Sequence, residues 1–203
     1  MTNTIYLASR SPRRRELLKQ IGIAFEVVLL REDSRRSIDV DESPLGHEQP
    51  AAYALRVACA KAATAAHYMG RRAQSARPVL AADTTVVCEG RIIGKPVDGE
   101  DAMRILKALS GREHEVITAV AVAAADRLEH ATSVSRVWFR ELAHDEIRRY
   151  VATGEPLDKA GAYAIQGRAA SFAPRIEGSF SGIMGLPLAE TAELLRKFGV
   201  SVP

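Results

Sequence analysis

One carboxylate stands in the middle of an apolar run, Val79-Leu80-Ala81-Ala82-Asp83-Thr84-Thr85-Val86-Val87. An ionised group in that setting must be paired, hydrated or metal-bound to be tolerated. Two roles are open to Asp83: a working group in a site, or a structural Asp bonded to a neighbouring turn. A second set, Ser9-Arg10-Ser11-Pro12-Arg13-Arg14, lies where a short apolar run gives way to apolar residues at helical spacing. Free N–H groups at a helix start, two hydroxyls and guanidinium forks can all face one anion, and phosphate fits such a place. An ordinary helix start with exposed arginines is the competing reading. No GxxxxGK[ST] occurs, so the P-loop route to phosphate chemistry has no support.

Three further groups offer polar chemistry. Lys95, in Gly94-Lys95-Pro96-Val97-Asp98, precedes a proline that holds it extended, so its ammonium can reach into a cleft. Lys61 lies on an alanine-rich helical stretch. Gln166 precedes Gly167 at the end of a run of small residues, and its amide offers a donor and an acceptor suited to a base edge. A buried Gln satisfied by loop backbone is the alternative there. The five histidines show neither metal spacing nor a triad with a nucleophile elbow.

These groups need elements to hold them. Residues 5–8 read as a buried strand, with Ser11 as N-cap, Pro12 as first helical residue and Gly22 as terminator of the helix that follows. Residues 24–30 read as a strand, 31–47 as a polar loop and 48–68 as a long helix. Residues 79–88 and 91–93 form a hairpin about Glu89-Gly90, and Asp98 caps a helix to Leu109. Residues 115–124 are apolar on both alternating faces, which makes them a central strand, with 128–140 returning beside it. A helix over 145–151, strands over 162–165 and 170–176, and an amphipathic helix over 188–198 complete the chain. Alternating strands and helices followed by hairpins predict an α/β fold with a mixed sheet, folded as one domain over 1–203.

The chain is 47% hydrophobic and 26% charged, which excludes disordered and fibrous classes. No run approaches the length of a membrane span and the start lacks a signal peptide, so a cytoplasmic protein is expected. Two cysteines cannot form a disulfide framework or a CxxC zinc site. The basic segments, Arg10 to Arg15 and Arg31 to Arg36, leave solvated surface, a small anionic ligand and, least favoured, nucleic acid as readings.

Taken together, SxSPRRxELL at residues 9–18, Lys61, ADTTV at 82–86, GKPVD at 94–98, LSGREHEVITAVAV at 109–122, EPLDKAGAYAIQG at 155–167 and GLPL at 185–188 resemble the Maf family of nucleoside triphosphate pyrophosphatases. The resemblance implies an elongated mixed sheet flanked by helices, akin to inosine triphosphate pyrophosphatase, with a deep cleft between two lobes. It implies a homodimer and a divalent cation, Mg²⁺ or Mn²⁺. Asp83 is then the catalytic group, with Ser9, Ser11, Arg14, Lys61 and Lys95 on phosphate. Arg13, Thr84 and Gln166 place the chain in the branch that prefers dTTP and UTP. Asp83, and Asp33 in the loop after β-strand residues 24–30, are the metal candidates. Clearance of modified nucleotides and a non-enzymatic nucleotide sensor are the competing functions.

Overall fold

The computed structural model describes residues 4–29, 40–71 and 77–202. The expected site residue Asp33 and the arginines at 31, 35 and 36 lie outside them.

The first strand, β1 (Thr4–Leu7), runs into α1 (Pro12–Gln20), which Pro12 opens and Gly22, at φ 69°, closes. Ser11 holds the N-cap position, but its hydroxyl makes no cap; its amide donates to Ser9 Oγ at 3.2 Å instead. Then come β2 (Ala24–Val27), the long helix α2 (Pro50–Gly70), and the hairpin of β3 (Val79–Cys88) with β4 (Arg91–Ile93). Asp98 caps α3 (Gly99–Leu109) as its spacing requires, its Oδ1 accepting from the Asp101 amide at 2.8 Å. The meander of β5 (Glu113–Ala124) and β6 (Arg127–Trp138) is followed by α4 (His144–Val151), β7 (Arg175–Glu177), α5 (Phe180–Met184) and α6 (Leu188–Lys197).

The strands form one mixed sheet, ordered β2-β1-β3-β5-β6-β7, with β4 on the far end of β3. β1 is parallel to β2 and β3, while the remaining pairs are antiparallel. Alternation along β3 and β5 assigns the layers. Val79, Ala81, Val87, Ala119 and Ala121 pack beneath the alanine face of α2. On the other face, Leu80, Ala82, Val120 and Val122 meet α1 and α6 at one end. Val86 and Val116 meet α3, α4 and the segment 160–172 at the other. These two clusters on one face are the two lobes, and β5 is covered on both sides as its composition predicts.

One expected strand is absent and another is much shorter than expected. Residues 162–165 leave a 3-10 turn, Ala160–Ala162, in which Gly161 and Ala162 take φ of 72° and 57°, and enter the next turn at Ile165, too soon for the extended Tyr163 to start a strand. Of 170–176, only Arg175–Glu177 pairs, with β6, because Arg168–Phe172 coils into a second 3-10 turn. Both runs are apolar because they fill the α3–α4 lobe, and a short buried run has the same composition whether it is strand or turn. The five residues of α5 are too few to show a helical period.

Within that lobe His114 is 2% exposed, edge-on to Phe139 and Tyr163, with Nε2 2.9 Å from the Tyr163 hydroxyl. Burial pulls its pKa from 6.5 down to about 4. Between those values the unfolded chain takes up a proton that the folded one refuses, so stability is full above pH 6.5 and falls as the pH drops towards 4. The loss should reach ~2 kcal/mol at pH 5, at about 1.4 kcal/mol per pH unit. Urea melts at pH 7 and pH 5 measure it, and His114→Gln should remove this part of the slope.

Candidate active site

The site begins with a gap in the sheet. β1 pairs with β3 only at Val79 and Leu80, and β4 only at Val86 to Cys88. Among the described residues, no strand pairs with this edge of β3 at 81–85, although β5 continues along its other edge. Ala8 N donates to Leu80 O, so by strand alternation the backbone groups of Ala82 and Thr84 also face the gap. Around it lies a cavity of about 720 Å³, within the range that takes a nucleotide-sized ligand. Every expected site residue within the described segments lines it: Ser9, Ser11, Arg13, Arg14, Lys61, Asp83, Thr84, Lys95 and Gln166. Arg10 lines it too and is exposed.

Consecutive residues of β3 serve opposite faces. Asp83, 8% exposed, turns to α2, where Lys61 Nζ donates to its Oδ1 at 2.8 Å. The same ammonium lies 3.2 Å from Glu42 Oε2, so one cation holds two carboxylates at the cavity wall. Tyr53 anchors that stretch, donating from its hydroxyl to Glu42 O at 2.9 Å. Glu42 is a cavity residue that the sequence motifs do not single out; its signal is the acidic stretch Asp39-Val40-Asp41-Glu42, downstream of Asp33.

Thr84 turns to the other face. There Arg14 donates from Nε to Gly185 O at 2.7 Å, from Nη1 to Ser9 Oγ at 3.2 Å and from Nη2 to Thr84 Oγ1 at 3.2 Å. Thr118 donates its hydroxyl proton to Gly182 O at 2.8 Å, so in its 3.0 Å contact with Thr84 it must accept. The Thr84 proton is thereby committed, and its oxygen can only accept from anything in the cavity. Burial lowers the Arg14 pKa, with Asp83 opposing that shift and Arg13 adding to it, yet the guanidinium stays charged. Arg14 therefore spends three of its five N–H groups holding Ser9, Thr84 and Gly185 in place. Gly185, at φ 111°, leaves the room this needs: a Cβ there would lie 3.3 Å from Thr84 Oγ1.

Arg13, Lys95 and Gln166 contrast with this braced set. Among the described residues, none of their side chains has a hydrogen bond or ion pair to the protein, so their donors are available to whatever enters. One cavity is thus lined by a buried carboxylate and by two cations and an amide that are unpartnered among the described residues.

No group of three or more His, Cys, Asp or Glu side chains able to hold a metal occurs among the described residues. The carboxylates of Asp83 and Glu42, which share the Lys61 ammonium, are hard oxygen donors of the kind that suits a cation taking its remaining ligands from substrate phosphates and water. Nor, among the described residues, is any helix long and apolar enough to cross a membrane.

Residues 4–198 match the family model described as Maf-like protein. The chain is 57% identical to a dTTP/UTP pyrophosphatase of Aromatoleum aromaticum, with 96% of this chain and 95% of that protein covered. It is 54% identical to a dTTP/UTP pyrophosphatase of Dechloromonas aromatica, covering 96% and 97% respectively. A solved structure of the Staphylococcus aureus Ham1 protein is similar at TM-score 0.49 and 15% identity, covering 96% of this chain and 97% of that one. With a family match over nearly its whole length and relatives sharing more than half its residues, this chain belongs to the Maf-like protein family.

Proposed function

We propose that this cleft hydrolyses the α,β-phosphoanhydride of dTTP and UTP, releasing the nucleoside monophosphate and pyrophosphate. The chain is then a hydrolase acting on acid anhydrides, in keeping with relatives named dTTP/UTP pyrophosphatase. The observation that carries the reading is the sorting of the cavity's side chains: a carboxylate braced by Lys61, free cations from α1 and the β4–α3 loop, and a free amide.

Water attacking phosphorus must lose a proton, and Asp83, held on one oxygen by Lys61, keeps the other for that task. The departing pyrophosphate gathers charge on its bridging oxygen, which Arg13 and Lys95 on the cavity wall would neutralise and the hydroxyls of Ser9 and Ser11 would meet with hydrogen bonds. Arg14 acts from behind by fixing Ser9. Gln166 meets the N3–H and O4 edge of the pyrimidine, and Thr84, limited to accepting, lends no donor to the bare N3 of cytosine. A divalent cation, Mg²⁺ or Mn²⁺, would be held by Asp83 with Glu42 and would supply charge neutralisation and a more acidic bound water. The family resemblance extends the reading to a cytoplasmic homodimer, one domain per chain.

Continuous pyrophosphate release from UTP and dTTP with added Mg²⁺, abolished by a chelator, tests the reading. Stoichiometric nucleotide binding without release would overturn it. Lys95→Ala should raise KM for UTP at least ~10-fold with a smaller effect on kcat, because a free exposed cation binds charge without moving protons. High salt should imitate part of that loss in the wild-type enzyme.

A further inference from the structure

Gln166 is exposed to the cavity and unpartnered among the described residues, so something other than its own contacts must aim it. The turn that carries it, closed by Gly167 N donating to Ala164 O at 3.0 Å, is gripped on both sides. Before the glutamine, Ala164 N donates to the Tyr150 hydroxyl at 3.3 Å; after it, Arg168 N donates to Glu155 Oε2 at 3.4 Å. Tyr150 joins the two by donating to Glu155 Oε1 at 2.8 Å. Between them the carboxylate lies flat on Gly167: a Cβ there would fall 2.4 Å from Oε1 and 2.9 Å from Oε2. Gly167 has φ −105°, so the glycine supplies space for this contact and no unusual backbone angle.

The grip is itself anchored. Tyr150 is buried on α4, Glu155 N donates to Thr153 Oγ1 at 3.2 Å, and Lys159 Nζ donates to Glu155 O at 2.6 Å. One Tyr–Glu pair, fixed to a helix end, therefore restrains both flanks of the four-residue turn 164–167 while leaving the Gln166 side chain unbound among the described residues.

We propose that Glu155, with Tyr150, is a positioning residue for base recognition: it holds the Gln166 turn so that the amide meets the pyrimidine without paying for ordering on binding. Preorganisation of this kind shows in affinity for base-bearing ligands and not in the chemical step. The inference rests on the reading of Gln166 as the base-contacting amide.

Glu155→Ala should raise KM for UTP and dTTP about tenfold, the scale of one mispositioned hydrogen bond, with kcat within about twofold. Inhibition by UMP should weaken by a similar factor, whereas inhibition by pyrophosphate, which has no base, should not change. Glu155→Gln retains an acceptor for Tyr150 but loses the one for Arg168 N, so its affinity should fall between those of the wild type and Glu155→Ala. Gly167→Ala, which evicts the carboxylate without removing it, should reproduce the Glu155→Ala pattern. In a Gln166→Ala background, Glu155→Ala should add nothing. Equal losses for UMP and pyrophosphate, or full additivity with Gln166→Ala, would overturn the proposal. Calorimetric binding of UMP and pyrophosphate gives the same comparison without turnover, so an absence of pyrophosphate release would count against the functional reading and leave the clamp separately decided.

Discussion

Asp83→Asn is expected to lower kcat for pyrophosphate release from UTP and dTTP at least ~10²-fold, the usual scale for removing an acid–base group. The substitution keeps the shape of the side chain and removes its charge and basicity. Lys61 then loses the charge of its 2.8 Å partner but keeps the carboxylate of Glu42 at 3.2 Å, and all three residues line the cavity. The fold should therefore survive, since a broken ion pair is severe only where the remaining charge is buried and alone. A cooperative urea melt alongside the kinetics separates lost chemistry from lost structure. Lys61→Ala should reduce turnover less, because it frees the carboxylate without removing it. A variant Asp83→Asn that retains more than a tenth of wild-type turnover, with ordinary metal dependence, would remove Asp83 from the chemical step.

What could be read from residues alone divides along a physical line. Patterns set by neighbours in sequence were legible: the apolar β5, the Asp98 cap, the Glu89-Gly90 hairpin and the alanine face of α2 all follow from local composition and period. The turns at 160–172 were not, since their apolar residues fill a lobe assembled from α3, α4 and β5, and burial looks alike in either conformation.

The site shows the same division. Asp83 was conspicuous as a charge in an apolar strand, but its exposure to a cavity depends on two short neighbours leaving a gap at 81–85, which no local pattern encodes. Arg13 and Arg14 are adjacent and chemically identical in sequence. The rotation of α1 against α5 turns one into the brace for Ser9, Thr84 and Gly185 and leaves the other free. Thr118, which commits the Thr84 proton, was hidden as an ordinary strand threonine. Its role comes from cross-strand register with Thr84.

The free amide of Gln166 leads to the most discriminating expectation, Gln166→Glu. Uracil and thymine present a carbonyl beside an N–H, and one carboxamide can meet both with complementary donor and acceptor. An ionised carboxylate loses the donor and faces the O4 carbonyl with like charge, yet it can accept from the N1–H and the amino group of guanine. The two side chains are nearly isosteric, and the turn carrying them is held through backbone amides and Glu155, so the change should be chemical and not steric. The expected loss in kcat/KM for dTTP and UTP is roughly 1 to 3 kcal/mol, the cost of mismatched polar groups in a site built to pair them. Guanine triphosphates should lose less or gain. Side-by-side pyrophosphate release on dTTP, UTP, CTP, GTP and 7-methylguanosine triphosphate measures the outcome. An equal fall on every substrate would mean that Gln166 supports the cleft without reading the base. Base selection would then have to lie with Arg13 and with the accepting oxygen of Thr84, whose polarity the chain from Arg14 to Gly182 sets.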